Sequence, residues 1–120
     1  MTKPEAAEQR AQEAAVAWLK HIDAGDAAAS WEEASSTFRA AVSVAGWSES
    51  LSKVQASLGR PVSRAFNSAE FKKELPGAPD GHYVILRYDT RFEKKRHGTE
   101  TVVPELDDDG AWRVSGYFVK

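Results

Sequence analysis

The segment His82–Leu106, "HYVILRYDTRFEKKRHGTETVVPEL", decides how this chain folds. Val84, Leu86, Tyr88 and Phe92 all occupy even positions. Successive side chains of a strand point to opposite faces, so these residues share one face. For Val102 and Leu106 to join that face across a hairpin, even residues must pair with even, which requires a loop of odd length. A loop of Arg96, His97 and Gly98, with Gly98 in the left-handed position, meets the requirement. The densest positive charge in the chain, Lys94, Lys95 and Arg96 followed by His97, then reads as a solvated hairpin tip rather than a docking site. "LDDDGAW" repeats the device: a loop of Asp108, Asp109 and Gly110 sets Leu106 opposite Trp112, and Trp112, Val114 and Phe118 extend the apolar face. Pro104 has no N–H to donate to a ladder and marks an edge or a bulge.

Before this sheet the period is helical. In "PEAAEQRAQEAAVAWLKHIDAG", Ala7, Ala11, Ala14, Trp18 and Ile22 recur at steps of three and four, with Pro4 suited to the first turn and Gly25 to the position past the end. Asp26 caps a short helix through "AAASWEEAS", and Ser43 caps a further one whose stripe is Trp47, Leu51, Val54 and Leu58, ended by Gly59 and Pro61. Gly46 weakens the first turn of that helix. "PVSRAFNSAEFKKEL" reads as a strand and "PGAPDG" as a turn. The expected fold is α+β: helices over about 4–59 packed on a four-stranded antiparallel meander over about 62–119, in a single domain covering 1–120.

Composition narrows the function classes. Lys and Arg total 16 against 18 Asp and Glu, so the net positive charge that drives nucleic-acid binding is missing, and no nucleic-acid partner is expected. The absence of cysteine removes disulfides, thiol nucleophiles and zinc–thiolate sites. No apolar run is long enough to span a membrane. His21, His82 and His97 are scattered, and no phosphate loop or dinucleotide fingerprint occurs, so neither a metal nor a cofactor is expected.

Two groups of residues are candidates for binding. Trp18, Trp31, Tyr88 and Trp112 are candidates to line a pocket between helices and sheet, although aromatics at such spacing usually build the core. On the outward sheet face the register sets Asp89, Glu105 and Arg113 side by side, flanked by Arg87 and Arg91; this is either an anion-gripping acid–arginine cluster or a solvated charge ladder. Tyr83, Ile85 and Tyr117 on the same face make a homodimer surface a further option. The inward face shows mainly Tyr88 and Thr90 as polar groups, and no catalytic residue is assigned. Ser30, Ser35 and Ser36 have no histidine at a diagnostic spacing.

"AWLKHIDAGDAAASWEEASSTFRAAVS", Trp47, "SRAF", "LPGAPDGHYVILRYDTRFEKK" and "DGAWRVSGYFV" together resemble domain-of-unknown-function family 4019, from about Ala17 to Val119. The resemblance implies a small bacterial domain, often exported. That means a periplasmic or envelope location, with Met1, Thr2 and Lys3 marking a trimmed start, or a cytoplasmic one if the chain is complete. It supplies no catalytic residues. The helix-then-meander order is also similar to the cone-shaped fold of nuclear transport factor 2 and the cystatins, which hosts enzymes and binding modules alike. The expectation is a non-enzymatic module that binds a partner protein or small ligand. The alternative is a small-molecule enzyme with its pocket between the first helix and the sheet.

Overall fold

The computed structural model describes residues 4–120, so the reading of Met1–Lys3 as a trimmed start lies outside the described residues. Four helices precede four strands: α1 (Pro4–Asp23), α2 (Ala27–Glu32), α3 (Ser36–Ala41), α4 (Val44–Leu58), β1 (Pro61–Lys72), β2 (Tyr83–Phe92), β3 (Lys95–Leu106) and β4 (Trp112–Val119). The strands form one antiparallel sheet in the order β1-β2-β3-β4, the expected α+β meander. Each helix starts or stops where local chemistry dictates. Past α1, Gly25 at φ 70° lets its own N–H reach the Ile22 carbonyl and the Asp26 N–H reach the His21 carbonyl, closing the helix end. Side chains of Asp26, Ser35 and Ser43 then accept from the backbone N–H groups of Ala29, Phe38 and Gly46, capping α2, α3 and α4.

Helix α1 lies across the inner face of the sheet and touches all four strands. Its stripe of Ala7, Ala11, Ala15, Trp18, Leu19 and Ile22 is buried against Val84, Leu86, Tyr88, Val102 and Val114, with Trp47 and Leu51 of α4 closing the same core. Small alanines bring the helix close at one end, and tryptophans fill the other: Trp18 stands 6.1 Å from Trp47 and 5.5 Å from Tyr117, ring centre to ring centre. Both buried indoles are anchored on Ser30, which is fully enclosed. Trp18 Nε1 donates to the Ser30 carbonyl at 2.9 Å and Trp47 Nε1 to its Oγ at 2.8 Å.

The parity of β2 and β3 is as expected, with Leu86 opposite Val102 and Tyr88 opposite Glu100, but it is reached differently. The chain turns at Glu93 and Lys94, and Phe92 pairs with Lys95. A tight even-length turn would put even residues opposite odd ones, and a bulge restores the parity by setting Arg91 against both Arg96 and His97. Arg96, His97 and Gly98 are therefore strand residues rather than a loop. Gly98 has no positive φ; it is glycine because a Cβ there would stand 2.9 Å from the Phe92 ring.

The second hairpin closes as expected, with Leu106 opposite Trp112 and Gly110 at φ 85°. Beyond it, Pro104 sits at a bulge: Pro104 pairs with Val114 but Val103 with Gly116, so the parity of β4 inverts. Tyr117 consequently pairs with buried Val102 and turns inward, while Phe118 turns outward and is 62% exposed. This reverses the expected placement of both residues.

Candidate functional site

The inner face carries a charged cluster at the end of α1. Glu100 of β3 is fully enclosed and accepts four hydrogen bonds: from Thr90 Oγ1 and Tyr117 OH, each at 2.5 Å, and from Arg64 Nε at 2.6 Å and Nη2 at 3.1 Å. Arg64 of β1 also grips Asp23, both terminal nitrogens donating at 2.9 Å. Asp23 is the last residue of α1, where the helix dipole disfavours a negative charge, and the guanidinium offsets this. Burial disfavours the charged guanidinium, yet hydrogen bonds to Asp23 and Glu100 outweigh it and raise the Arg64 pKa. Burial, with the Glu100 charge and hydrogen bond adding to it, raises the Tyr117 phenol as well, so Tyr117 is a donor throughout the physiological range.

The space beside this cluster, bounded by Ile22, Leu51, Arg64, Glu100 and Tyr117 among others, amounts to about 20 Å³. That is room for one water molecule and no organic substrate. Tyr88, 5% exposed, has a buried hydroxyl with no partner among the described residues, and burial is the first cause of its raised pKa.

The aromatic residues singled out in the sequence are distributed rather than gathered. Trp18 is core, Trp31 is half-buried with Nε1 donating to the Val42 carbonyl at 2.8 Å, Tyr88 lies under the sheet beside Phe66, and Trp112 is half-buried at the second hairpin. The polar set on the outer face is also divided. Asp89 lies between Ala65 and Thr99 and accepts from Asn67 Nδ2, whereas Glu105 lies between Tyr83 and Arg113. The two acids are therefore not neighbours, because the hairpin closes at Glu93 and Lys94 and shifts the register by several residues relative to a loop at Arg96–Gly98.

Arg87 sits 3.9 Å from Glu70, and Arg113 forks onto Asp109 at 2.7 and 2.8 Å and reaches Asp107 at 3.2 Å. Asp107 also accepts from the Ser36 backbone and hydroxyl, which ties α3 to the second hairpin. Its own pKa is lowered chiefly by the Ser36 hydroxyl, and Arg113 holds Asp109 down at about 2. Glu105 is 8% exposed, with one carboxylate oxygen unpartnered among the described residues. Tyr83 covers this region with its hydroxyl donating to the Pro79 carbonyl at 2.6 Å, and burial followed by the charge of Glu105 raises its pKa.

Glu100 and Arg64 were not singled out from the sequence. The available signal was parity, since Glu100 is two residues before inward Val102.

The chain belongs to the family "Protein of unknown function (DUF4019)", whose model matches residues 14–117. No curated protein and no solved structure matches it. Among the described residues no helix is long and apolar enough to cross a membrane.

Proposed function

We propose that this domain is a non-enzymatic binding module of the bacterial envelope, with a cone-like, cystatin-like arrangement in which the outward sheet face and its rim meet the ligand or partner. One observation carries the reading: the enclosed acid that a cone-shaped enzyme would need, Glu100, has four hydrogen bonds and only about 20 Å³ of space beside it. A general acid or base must reach a substrate atom. Among the described residues Glu100 is taken up by Arg64, Thr90 and Tyr117. Its role is to pin all four strands and the end of α1 together from within, leaving the outer face to vary in its contacts.

A second reading, an enzyme with its pocket between α1 and the sheet, draws on the unpartnered Tyr88 hydroxyl, which feels the charges of Arg64 and Glu100. Backbone NMR of the labelled protein during a small-fragment screen separates the two. The binding-module reading expects shifts confined to outward positions such as Ser63, Arg87, Arg91 and Thr99. Fragments that instead shift Leu51, Glu100 and Tyr117 together would place ligand inside and sink it.

A further inference from the structure

Arg96 and His97 of the basic stretch belong to the outer sheet face, and they are not alone there. Where β3 bulges, Arg96 and His97 both stand against Arg91 of β2. A second irregularity in the β1–β2 pairing falls at the same level, between the Pro61 and Ser63 pairs. Together these bends hollow the face into a groove of about 690 Å³ whose lining includes Ser63, Asp89, Arg91, Arg96, His97 and Thr99. Arg91, Arg96 and His97 are exposed, and among the described residues no carboxylate lies within ion-pair distance of any of them. Arg64 and Arg113, by contrast, are each saturated by two acids. The chain as a whole carries a net charge of -2, so this hollow reverses the average sign.

We infer that the groove binds a phosphate oxyanion carried on a small organic group. Two guanidiniums present planar donor forks that match phosphate oxygens in pairs. The imidazole and the hydroxyls of Ser63 and Thr99 add donors around them. Among the described residues Asp89 is the one carboxylate in the lining, and Asn67 already donates to one of its oxygens at 3.0 Å. The groove exceeds the size of a bare phosphate, which leaves space for the organic part. Scattered surface cations have no such convergence; here the bulge brings adjacent residues of one strand against a third on its neighbour.

This inference rests on the binding-module reading and narrows its ligand class. The test is a titration of the intact chain, followed by backbone NMR, with inorganic phosphate and with glycerol 3-phosphate. Flotation with phosphatidylglycerol vesicles against phosphatidylcholine vesicles runs alongside it. The expected result is saturable shifts at Arg91, Arg96, His97 and Thr99, with glycerol 3-phosphate binding more tightly than inorganic phosphate. The R91Q/R96Q variant should lose at least roughly tenfold in affinity, as two charge-assisted contacts imply. R39Q, at an exposed arginine of α3 outside the groove, should bind as wild type. D89N should bind roughly threefold more tightly, the effect of removing one like charge at side-chain distance in water.

Selective flotation with phosphatidylglycerol would make the ligand a lipid headgroup, and binding of glycerol 3-phosphate without flotation would make it a soluble ester. Absence of saturable shifts with either phosphate compound together with no flotation, or equal binding by R91Q/R96Q, overturns the inference while leaving the module reading intact. Shifts at Leu51, Glu100 and Tyr117 instead would overturn both.

Discussion

Replacing Arg64 with methionine tests whether the inner charge cluster holds the fold. Glu100 has no exposed surface, and two of its four hydrogen bonds, at 2.6 and 3.1 Å, come from Arg64, the only cation within ion-pair distance of it among the described residues. Methionine keeps the length of the side chain but leaves a carboxylate enclosed with, among the described residues, only Thr90 and Tyr117 as donors. Removing one partner of a buried pair typically costs about 3–5 kcal/mol. Because the Arg64 side chain is 20% exposed, water can partly compensate, and the lower end, about 3 kcal/mol, is the expected loss.

The discriminating step is a second substitution. Glu100→Gln alone should cost about 1–2 kcal/mol, since a charged acceptor becomes neutral while Arg64 keeps Asp23. In Arg64→Met/Glu100→Gln the enclosed charge is gone and only the partly exposed Asp23 has lost its partner, so the double variant should be more stable than Arg64→Met by about 1 kcal/mol. Urea unfolding followed by tryptophan fluorescence, with a common slope, measures all three. The reasoning is refuted if Arg64→Met costs under about 1 kcal/mol, or if the second substitution adds its full cost to the first.

Ser30→Ala removes the acceptor for the Trp47 indole, and a buried unpaired donor should lower stability by about 1–3 kcal/mol in the same assay. Gly98→Ala places a methyl group 2.9 Å from the buried Phe92 ring and 3.2 Å from the Thr90 carbonyl; a loss of about 1–3 kcal/mol is expected in thermal unfolding, and an unchanged midpoint would show that the strand yields freely. The Arg113 clasp should depend on acidity. Asp107 and Asp109 have folded values below the ordinary 3.8, so their contribution is fully present above that pH and fades as pH falls through the folded value, about 2 for Asp109. Wild type and Arg113→Gln should therefore differ in melting temperature at neutral pH and converge near pH 2, whereas a constant difference would assign the effect to packing.

Most helix ends were legible because their causes are local: Gly25 and Gly59 adopt φ of 70° and 75°, and Asp26 and Ser43 each satisfy an N–H three residues on; the short helix expected through Ser35 instead stops at Glu32, and Ser35 caps a separate helix over Ser36–Ala41. The buried face of β2 was equally legible, since alternation is a property of the strand itself. Glu100 followed the same alternation, but a charged residue at an inward position acquires its meaning only from Arg64, 36 residues away. The groove cations were legible as a charge run and misread as a loop, because any odd insertion restores parity, whether it lies in the turn or in a bulge.

By itself, then, the order of residues determined the α+β class, the ends of the first and last helices and the apolar face of the central strands, all of which depend on neighbours within a turn or two along the chain. Tertiary structure decided which way Tyr117 and Phe118 point, that Glu100 lies enclosed, and that Arg91 meets Arg96 and His97. The first and last of these follow from where a bulge is inserted between paired strands, and the enclosure of Glu100 from its distant partners Arg64, Thr90 and Tyr117. One extra residue costs little locally yet turns every later side chain over, so only packing across the sheet can choose its position.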